Sequence, residues 1–197
     1  LSSQVSEDAA AIFEKLKAAN TENLTDSELM AKAEAQAESN ALNTQWRSKA
    51  IDSRYEPGST FKALVLAAAF EEGVVDENDT FYCSGSVTIP GYPDPIKCSK
   101  RAGHGRQTLA EAVGNSCNPA FMEIGSRLGK DKFYDYFEAF GMLENTGIDL
   151  PGEASLAGAM WSRDKMSNVD LAVASFGQRF EVTPLQMICG FAAVING

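Results

Sequence analysis

The segment of residues 61–70, FKALVLAAAF, is the feature that most constrains the fold of this chain. Apart from Lys62 it contains no polar residue, so a helix formed here is apolar around its whole circumference. A helix without a polar face is buried on all sides. Pro57 and Gly58 before it and Gly73 after it predict a helix that starts with a cap at Ser59 and ends at Glu72. The rest of the chain must therefore surround this helix.

The other periodic segments also predict helices. SEDAAAIFEKLKAA, with a cap at Ser6, and TDSELMAKAEAQAESNAL, with a cap at Thr25, indicate two amphipathic helices. Five more are predicted by TLAEAVG, PAFMEIGSRLG, KDKFYDYFEAFG, NVDLAVASFG and TPLQMICGFAAVI. Residues 74–107 are rich in Gly and Pro, which predicts a small β-hairpin. The fold class is therefore mainly α with a small β-hairpin.

The charge balance argues against two classes of partner. The formal net charge of -10 provides no basic face for nucleic acid and no polybasic patch for anionic lipid. No apolar run reaches the length of about 18 residues that a transmembrane helix needs. The chain begins at Leu1 and ends in an apolar pattern, MICGFAAVING, so we expect it to be a piece of a longer protein.

The four cysteines, Cys83, Cys98, Cys117 and Cys189, leave several interpretations open. Four cysteines allow three full disulfide pairings, and the sequence does not choose among them. Cys83 and Cys98 flank the turn-rich segment, so their disulfide is the first to test, with reduced cysteines beside a loop as the alternative. A zinc site made by these two and His104 is a further alternative, although no CxxC or HxxxH spacing supports it.

Lys62 is the first candidate for a functional residue. A lysine in the first turn of a helix opposes the helix dipole, and a buried cation is costly without partners. Ser59 and Lys62 are three residues apart, which places them on one helix face. Burial lowers the pKa of a lysine, and a neutral amine beside a hydroxyl is a base beside a nucleophile. The alternative is that Ser59 only caps the N-terminus of the helix and has no catalytic role.

A second pair of polar residues strengthens this hypothesis. GNSCNPAF contains Ser116 and Asn118 directly before a predicted helix. Together they can offer a hydroxyl for proton transfer and an amide for a substrate carbonyl. The alternative is that Asn118 caps the helix that starts at Pro119 and that Ser116 is a loop hydroxyl.

YEPGSTFK, followed by GHGRQTLAEAVGNSCNPAFMEIGSRLG, resembles the class B penicillin-binding proteins, the D,D-transpeptidases that cross-link peptidoglycan. FYCSGSVTIPGY and IKCSKRAGHG are most similar to the division- and sporulation-specific type of Gram-positive bacteria. FGQRFEVTPLQM resembles the segment that precedes the third motif of the family. The resemblance covers about residues 41–197. It implies a single partial transpeptidase domain over residues 1–197, with an N-terminal helical segment 1–45 and a core 46–197 that bears the SxxK and SxN motifs.

The resemblance also implies residue roles. Ser59 is the nucleophile that attacks the D-Ala-D-Ala peptide, and Lys62 is the base that takes its proton. Ser116 passes a proton to the leaving group, and Asn118 binds the amide of the substrate. His104 lies outside this catalytic set, in a loop. The reaction implied is serine acyl transfer with no metal and no organic cofactor.

Two departures from the family pattern stand out. The chain contains no Lys-Ser/Thr-Gly triplet, which in the family lies on a strand facing the two serines. We therefore expect the helical part of the α+β fold with most of the central sheet missing, and a piece that is incomplete or inactive by itself. The second departure is GQRFEV, where Arg179, Phe180 and Glu181 replace smaller residues.

The resemblance finally implies partners and location. Peptidoglycan stem peptides and β-lactams are the expected ligands, and the parent protein is expected to be membrane-anchored, extracytoplasmic and part of a division or sporulation complex. One alternative is a non-catalytic β-lactam or peptidoglycan sensor or scaffold. Another is a serine β-lactamase or D,D-carboxypeptidase that uses water as the acceptor.

Overall fold

The computed structural model describes residues 2–20 and 23–196 of the chain. These residues form two compact units, with the boundary between Ser48 and Lys49. Among the described residues, no helix is both long enough and apolar enough to cross a membrane.

The first unit is a pair of packed helices, α1 (Ser2–Ala18) and α2 (Asp26–Trp46). Alanines on both helices are buried where the helices meet, including Ala9 and Ala33. The predicted capping box is present, because Thr25 accepts a hydrogen bond from the backbone N–H of Glu28, which in turn accepts one from the backbone N–H of Thr25. The predicted cap at Ser6 is wrong. Helix α1 already begins at Ser2, and Ser6 lies inside it, because packing on α2 stabilises turns that local capping preferences do not define.

The second unit contains the remaining elements. Its helices are α3 (Lys49–Asp52), α4 (Lys62–Glu71), α5 (Leu109–Gly114), α6 (Asn118–Leu128), α7 (Lys130–Ala139), α8 (Asn168–Ala174) and α9 (Pro184–Asn196). Its strands are β1 (Thr80–Cys83), β2 (Ser86–Val87), β3 (Ile96–Lys97) and β4 (Gly105–Thr108). Short 3-10 helices span Gly58–Phe61 and Arg163–Lys165.

The strands form two small antiparallel sheets. Strand β1 pairs with β4, so that Cys83 lies opposite Gly105, and β2 pairs with β3, so that Ser86 lies opposite Lys97. The β2–β3 hairpin is therefore inserted between the strands of the outer pair. The prediction of a mainly helical fold with a small hairpin is confirmed, with one more antiparallel pair than predicted.

Helix α4 packs in the core of the second unit, but the prediction that it is buried on all sides is wrong. Ala63 and Phe70 are exposed, because this face of the helix lines an open groove. Leu64, Val65 and Ala68 are at most 2% exposed, and α4 contacts α6, α7 and α9. Burial of this kind stabilises a domain by about 25 cal/mol per Å² of apolar surface removed from water. The core therefore fixes the N-terminal end of α4, where Lys62 begins the helix.

Candidate active site

Ser59 lies in a tight turn rather than at the cap of α4. Residues Gly58–Phe61 form a 3-10 helix, and the prediction that Ser59 caps the following helix is wrong because α4 begins only at Lys62, after Phe61. Thr60 Oγ1 donates a hydrogen bond of 2.7 Å to the carbonyl of Pro57, which tightens this turn. Side chains three residues apart eclipse each other in a 3-10 helix, so Ser59 and Lys62 still share one face. Ser59 is exposed.

Lys62 is buried, with 4% of the residue exposed. Its Nζ donates to three acceptors: the carbonyl of Ser116 at 2.8 Å, the hydroxyl of Ser116 at 2.9 Å and Oδ1 of Asn118 at 2.9 Å. Among the described residues, the hydrogen bonds of this amine go to Ser116 and Asn118, and none goes directly to Ser59. The expected direct contact between Lys62 and Ser59 is thus replaced by a contact through Ser116.

The electrostatic environment of Lys62 favours a neutral amine more than water does. Burial lowers the pKa of Lys62 to about 8, while the negative charge that Cys117 and Cys98 can carry acts in the opposite direction. The ring of Phe121 lies 5.1 Å from Nζ and contributes a cation–π contact. A lysine with this pKa is suited to exchange protons near neutral pH.

Ser116 connects the lysine to the exposed serine. Its hydroxyl donates to Oγ of Ser59 over 2.9 Å while it accepts from Lys62. Ser116 has a φ of 49°, in the left-handed region that non-glycine residues rarely adopt. Strained backbone of this kind concentrates at functional sites, where surrounding contacts hold it in place.

Asn118 does not cap the following helix. It is itself the first residue of α6, Cys117 is the residue before the helix, and no side chain caps this end. The alternative prediction that Asn118 caps a helix starting at Pro119 is therefore wrong. The amide is used for a tertiary contact instead, because its Oδ1 accepts from Lys62.

These groups lie along an open groove of about 360 Å³. One end is polar, and the remainder is lined by apolar side chains of α4, α5 and α9. The lining residues include Ser59, Lys62, Leu66, Phe70, Val113, Ser116 and Val194. The groove gives a ligand direct access to the hydroxyl of Ser59.

The GQRFEV segment, which the sequence left unexplained, supports the turn that carries Ser59. Phe180 is 1% exposed and packs edge-on against Phe61, with the ring centroids 4.7 Å apart. The guanidinium of Arg179 forms an ion pair of 3.0 Å with Asp170, while its backbone N–H donates to the carboxylate of Glu56 over 2.7 Å. The larger residues therefore hold this loop against residues 56–61.

A group of residues next to the site went unrecognised as a set in the sequence. Cys117 lies with Cys83, Cys98 and His104, and the sulfur and nitrogen atoms of all four are within 4.8 Å of one another. The sequence indicated a possible zinc site only for Cys83, Cys98 and His104, and Cys117 was not included in it. A cysteine between Ser116 and Asn118 was the available signal, but its spacing from the others matches no short metal motif.

A serine, a buried lysine and a Ser-x-Asn segment on this mainly helical scaffold define a transpeptidase domain of the penicillin-binding proteins. Residues 19–197 match the family described as the penicillin binding protein transpeptidase domain, and the chain belongs to this family. It is of the class B type.

The chain is 45% identical over 152 residues to stage V sporulation protein D of Bacillus subtilis, covering 77% of this chain and 23% of that protein. It is 28% identical over 164 residues to peptidoglycan D,D-transpeptidase MrdA of Escherichia coli, covering 80% of this chain and 26% of that protein. The chain thus spans about a quarter of the length of these relatives.

Solved structures show the same fold. The crystal structure of Pseudomonas aeruginosa PBP2 in complex with WCK 5153 has a TM-score of 0.68 and 25% identity, covering 80% of this chain and 36% of that chain. The peptidoglycan synthetase of Bifidobacterium adolescentis has a TM-score of 0.70 and 25% identity, covering 79% of this chain and 28% of that chain. The expected fold, the helical portion of a transpeptidase domain with only small sheets, is confirmed.

Proposed function

We propose that the protein containing this chain is a peptidoglycan D,D-transpeptidase that forms its acyl-enzyme on Ser59. The observation that supports this most directly is the hydrogen-bonded series from Lys62 Nζ to Ser116 Oγ to Ser59 Oγ, with steps of 2.9 Å and 2.9 Å. A nucleophile joined to a base through one hydroxyl is the arrangement that serine acyl transfer needs.

In the acylation step, Ser59 Oγ attacks the carbonyl carbon between the two D-alanines of a stem peptide. A hydroxyl both donates and accepts, so the two hydrogen bonds can reverse once Lys62 is neutral: Ser59 then donates to Ser116, and Ser116 donates to Lys62. The proton of Ser59 then passes to Ser116, and the proton of Ser116 passes to the amine of Lys62. Lys62 returns a proton through Ser116 to the departing nitrogen, so the C–N bond breaks and free D-alanine leaves. The backbone N–H of Ser59 is one donor for the oxyanion.

The second step transfers the acyl group. An amino group of a neighbouring stem peptide attacks the ester carbonyl and loses its proton to the relay formed by Ser116 and Lys62. The relay returns a proton to the oxygen of Ser59, which leaves as the free hydroxyl. Asn118 holds the amide of the donor through its Nδ2, since its Oδ1 is already bonded to Lys62. A β-lactam ring presents the same acyl group and is expected to acylate Ser59.

We also propose the setting of this reaction. In this proposal Ser59 is the nucleophile and Lys62 is the base. Ser116 passes a proton to the leaving group, and Asn118 binds the amide of the substrate. Residues 1–197 form one partial transpeptidase domain. The parent protein is membrane-anchored and acts outside the cytoplasm, in a sporulation or division complex. The name of the Bacillus subtilis relative, a sporulation protein, supports the sporulation role.

A fluorescent penicillin tests acylation in the protein that contains this chain. We expect a covalent adduct that mass spectrometry locates on Ser59 and that Ser59→Ala abolishes. The matched control is Ser53→Ala, an exposed serine in the segment before the turn, which keeps full labelling. An adduct on another residue, or a folded protein that never labels, contradicts the proposal.

The acceptor distinguishes the transpeptidase from the alternatives. The transpeptidase incorporates a labelled D-amino acid or an amine-bearing stem peptide into the product. A β-lactamase or carboxypeptidase instead releases hydrolysed product rapidly, and a sensor stays acylated without turnover. Incorporation of the amine is the expected result.

A further inference from the structure

Next to the catalytic groups lies a cluster of three cysteines and one histidine. Cys83 and Cys98 are each 1% exposed, Cys117 is fully buried, and His104 is partly exposed. Their ligand atoms, three sulfurs and one ring nitrogen, are all within 4.8 Å of one another. The mechanism above uses none of these four side chains.

The fold brings these residues together from four places in the second unit. Cys83 ends β1, Cys98 follows β3, His104 precedes β4 and Cys117 precedes α6. The loop from Cys98 to His104 crosses so close to β1 that a Cβ on Gly103 would lie 2.3 Å from the carbonyl oxygen of Cys83. Glycine at this position, with a φ of 78°, lets the two cysteine-bearing segments meet.

The distances fit a tetrahedral ion. Zinc binds cysteine sulfur at about 2.3 Å and histidine nitrogen at about 2.0–2.1 Å, which places sulfur and nitrogen about 3.5 Å apart and two sulfurs about 3.8 Å apart. The Sγ of Cys98 lies 3.6 Å from Nδ1 of His104. All pairs of ligand atoms lie within 4.8 Å of one another, so only small side-chain shifts are needed to bring the four atoms to bonding distance of one ion.

Backbone N–H groups lie next to two of the sulfurs. Those of Lys100 and Asn118 donate hydrogen bonds to Cys98, and that of Ala120 donates one to Cys117. Such donors stabilise a thiolate, which is the form in which cysteine binds a metal ion.

Gln107 provides an independent observation. It is 3% exposed, its Oε1 accepts from Asn115 over 3.1 Å, and its Nε2 is a buried donor without a hydrogen-bond partner among the described residues. This amide lies beside Cys117. A buried unsatisfied donor is unusual, and a metal-bound thiolate at Cys117 gives it an acceptor.

We propose that Cys83, Cys98, His104 and Cys117 bind one Zn²⁺ ion in a closed, structural Cys₃His site. Four protein ligands fill the tetrahedron, so no position is left for a water or a substrate. Binding replaces the thiol protons, which go to solvent. The ion links the two antiparallel sheets to the segment that contains Ser116 and Asn118, because Cys117 lies between them in the sequence.

This link gives the ion a positioning role, and that part of the inference rests on the proposed function. Ser116 holds a left-handed backbone conformation, and a metal bond to the next residue stabilises it. Removing the ion is expected to slow acylation of Ser59 without removing any group that touches the substrate.

Metal binding is tested on the protein that contains this chain, purified with a reductant and without added chelator. We expect one zinc per chain by elemental analysis. Substitution by Co²⁺ is expected to give the visible d–d bands of a tetrahedral ion and the near-ultraviolet charge-transfer absorption of thiolate ligands. Neither readout depends on enzymatic activity, so a failure here is distinguishable from a failure of the transpeptidase proposal.

Matched variants assign the ligands. Cys117→Ser and Cys98→Ser are expected to lose the metal, whereas Cys189→Ser, an exposed cysteine outside the cluster, keeps one zinc and an unchanged cobalt spectrum. His104→Asn removes the partly exposed ligand and shifts the cobalt bands, which gives a readout even if a cysteine variant does not fold. A reduced wild-type chain that takes up neither ion overturns the proposal. So does a disulfide among these cysteines that persists under reductant, or metal that survives Cys117→Ser.

Discussion

The hydroxyls of Ser59 and Ser116, 57 positions apart in the sequence, are hydrogen-bonded over 2.9 Å. The same Ser116 hydroxyl accepts from the amine of Lys62, so that it connects the exposed serine to the buried lysine. Under the proposed function, we therefore expect Ser116 to take part in acylation itself, in addition to passing a proton to the leaving group.

Removing the relay should slow acylation. In Ser116→Ala, Ser59 loses its path to Lys62, so we expect the second-order rate of penicillin acylation to fall by about 10²–10⁴-fold, the contribution typical of positioned proton transfer. Stopped-flow or gel measurement of labelling by fluorescent penicillin gives this rate. Ser53→Ala serves as the matched control, and a rate in Ser116→Ala within a factor of two of wild type would show that Lys62 acts without the relay.

The rate of acylation should depend on pH through Lys62. Burial lowers the pKa of Lys62 to about 8, and only the neutral amine accepts a proton, so the rate is expected to rise with pH and level off above about pH 8. Below that value one ionisation gives about a tenfold change per pH unit.

Lys62→Arg tests the assignment of this pH profile. A guanidinium stays charged at all accessible pH values, so the variant should lose the pH-dependent phase together with most of its activity. Lys132→Arg, an exposed lysine paired with Glu72, should keep both. A wild-type profile that is flat between pH 6 and 9 contradicts the base role.

The loop that contains Gly177 should control the turn before Ser59. The backbone N–H of Gly58 donates to the carbonyl of Gly177 over 2.7 Å, and a Cβ on Gly177 would lie 2.0 Å from the carbonyl oxygen of Gly58. Because Gly177 also has a φ of 80°, Gly177→Ala is expected to lower the free energy of unfolding by at least about 1 kcal/mol. It should also displace Ser59 and reduce acylation.

The control for this loop is Gly152→Ala, where φ is 93° but no atom lies within 4 Å of the added Cβ. This variant carries the backbone strain without the close contact. Equal losses of acylation in the two variants would show that the contact with Gly58 is unimportant.

Phe180 should be a large contributor to stability. Its ring is buried against Phe61 and Phe137, with centroid separations of 4.7 Å and 4.9 Å. Phe180→Ala leaves a cavity in this cluster and is expected to cost about 3–5 kcal/mol of unfolding free energy. Chemical denaturation measures this, with Tyr82→Ala as the control because Tyr82 is 69% exposed. A loss below 1 kcal/mol would show that the cluster collapses around the gap.

The sequence by itself determined that α4 packs in the core, because burial removes its apolar side chains from water. Only the tertiary structure showed that one face of α4 is exposed along the groove. The sequence also determined the importance of Lys62, since a lone charge in an apolar segment requires partners. The segments that contain the SxxK and SxN motifs resemble the family, and turn residues predicted the small antiparallel pairing. The buried helix, the lone charge and the turns follow from local composition or from residues close together in the sequence.

Tertiary structure alone decided how the two motifs meet. The hydrogen-bond partners of Lys62 come from Ser116 and Asn118, more than 50 positions away, and no local rule predicts that Ser116 lies between Lys62 and Ser59. Local capping rules placed Ser59 and Asn118 at helix ends because they take no account of distant partners. The gathering of Cys117 with Cys83, Cys98 and His104 depends in the same way on strand pairing and loop crossing, which bring side chains together irrespective of their spacing in the sequence.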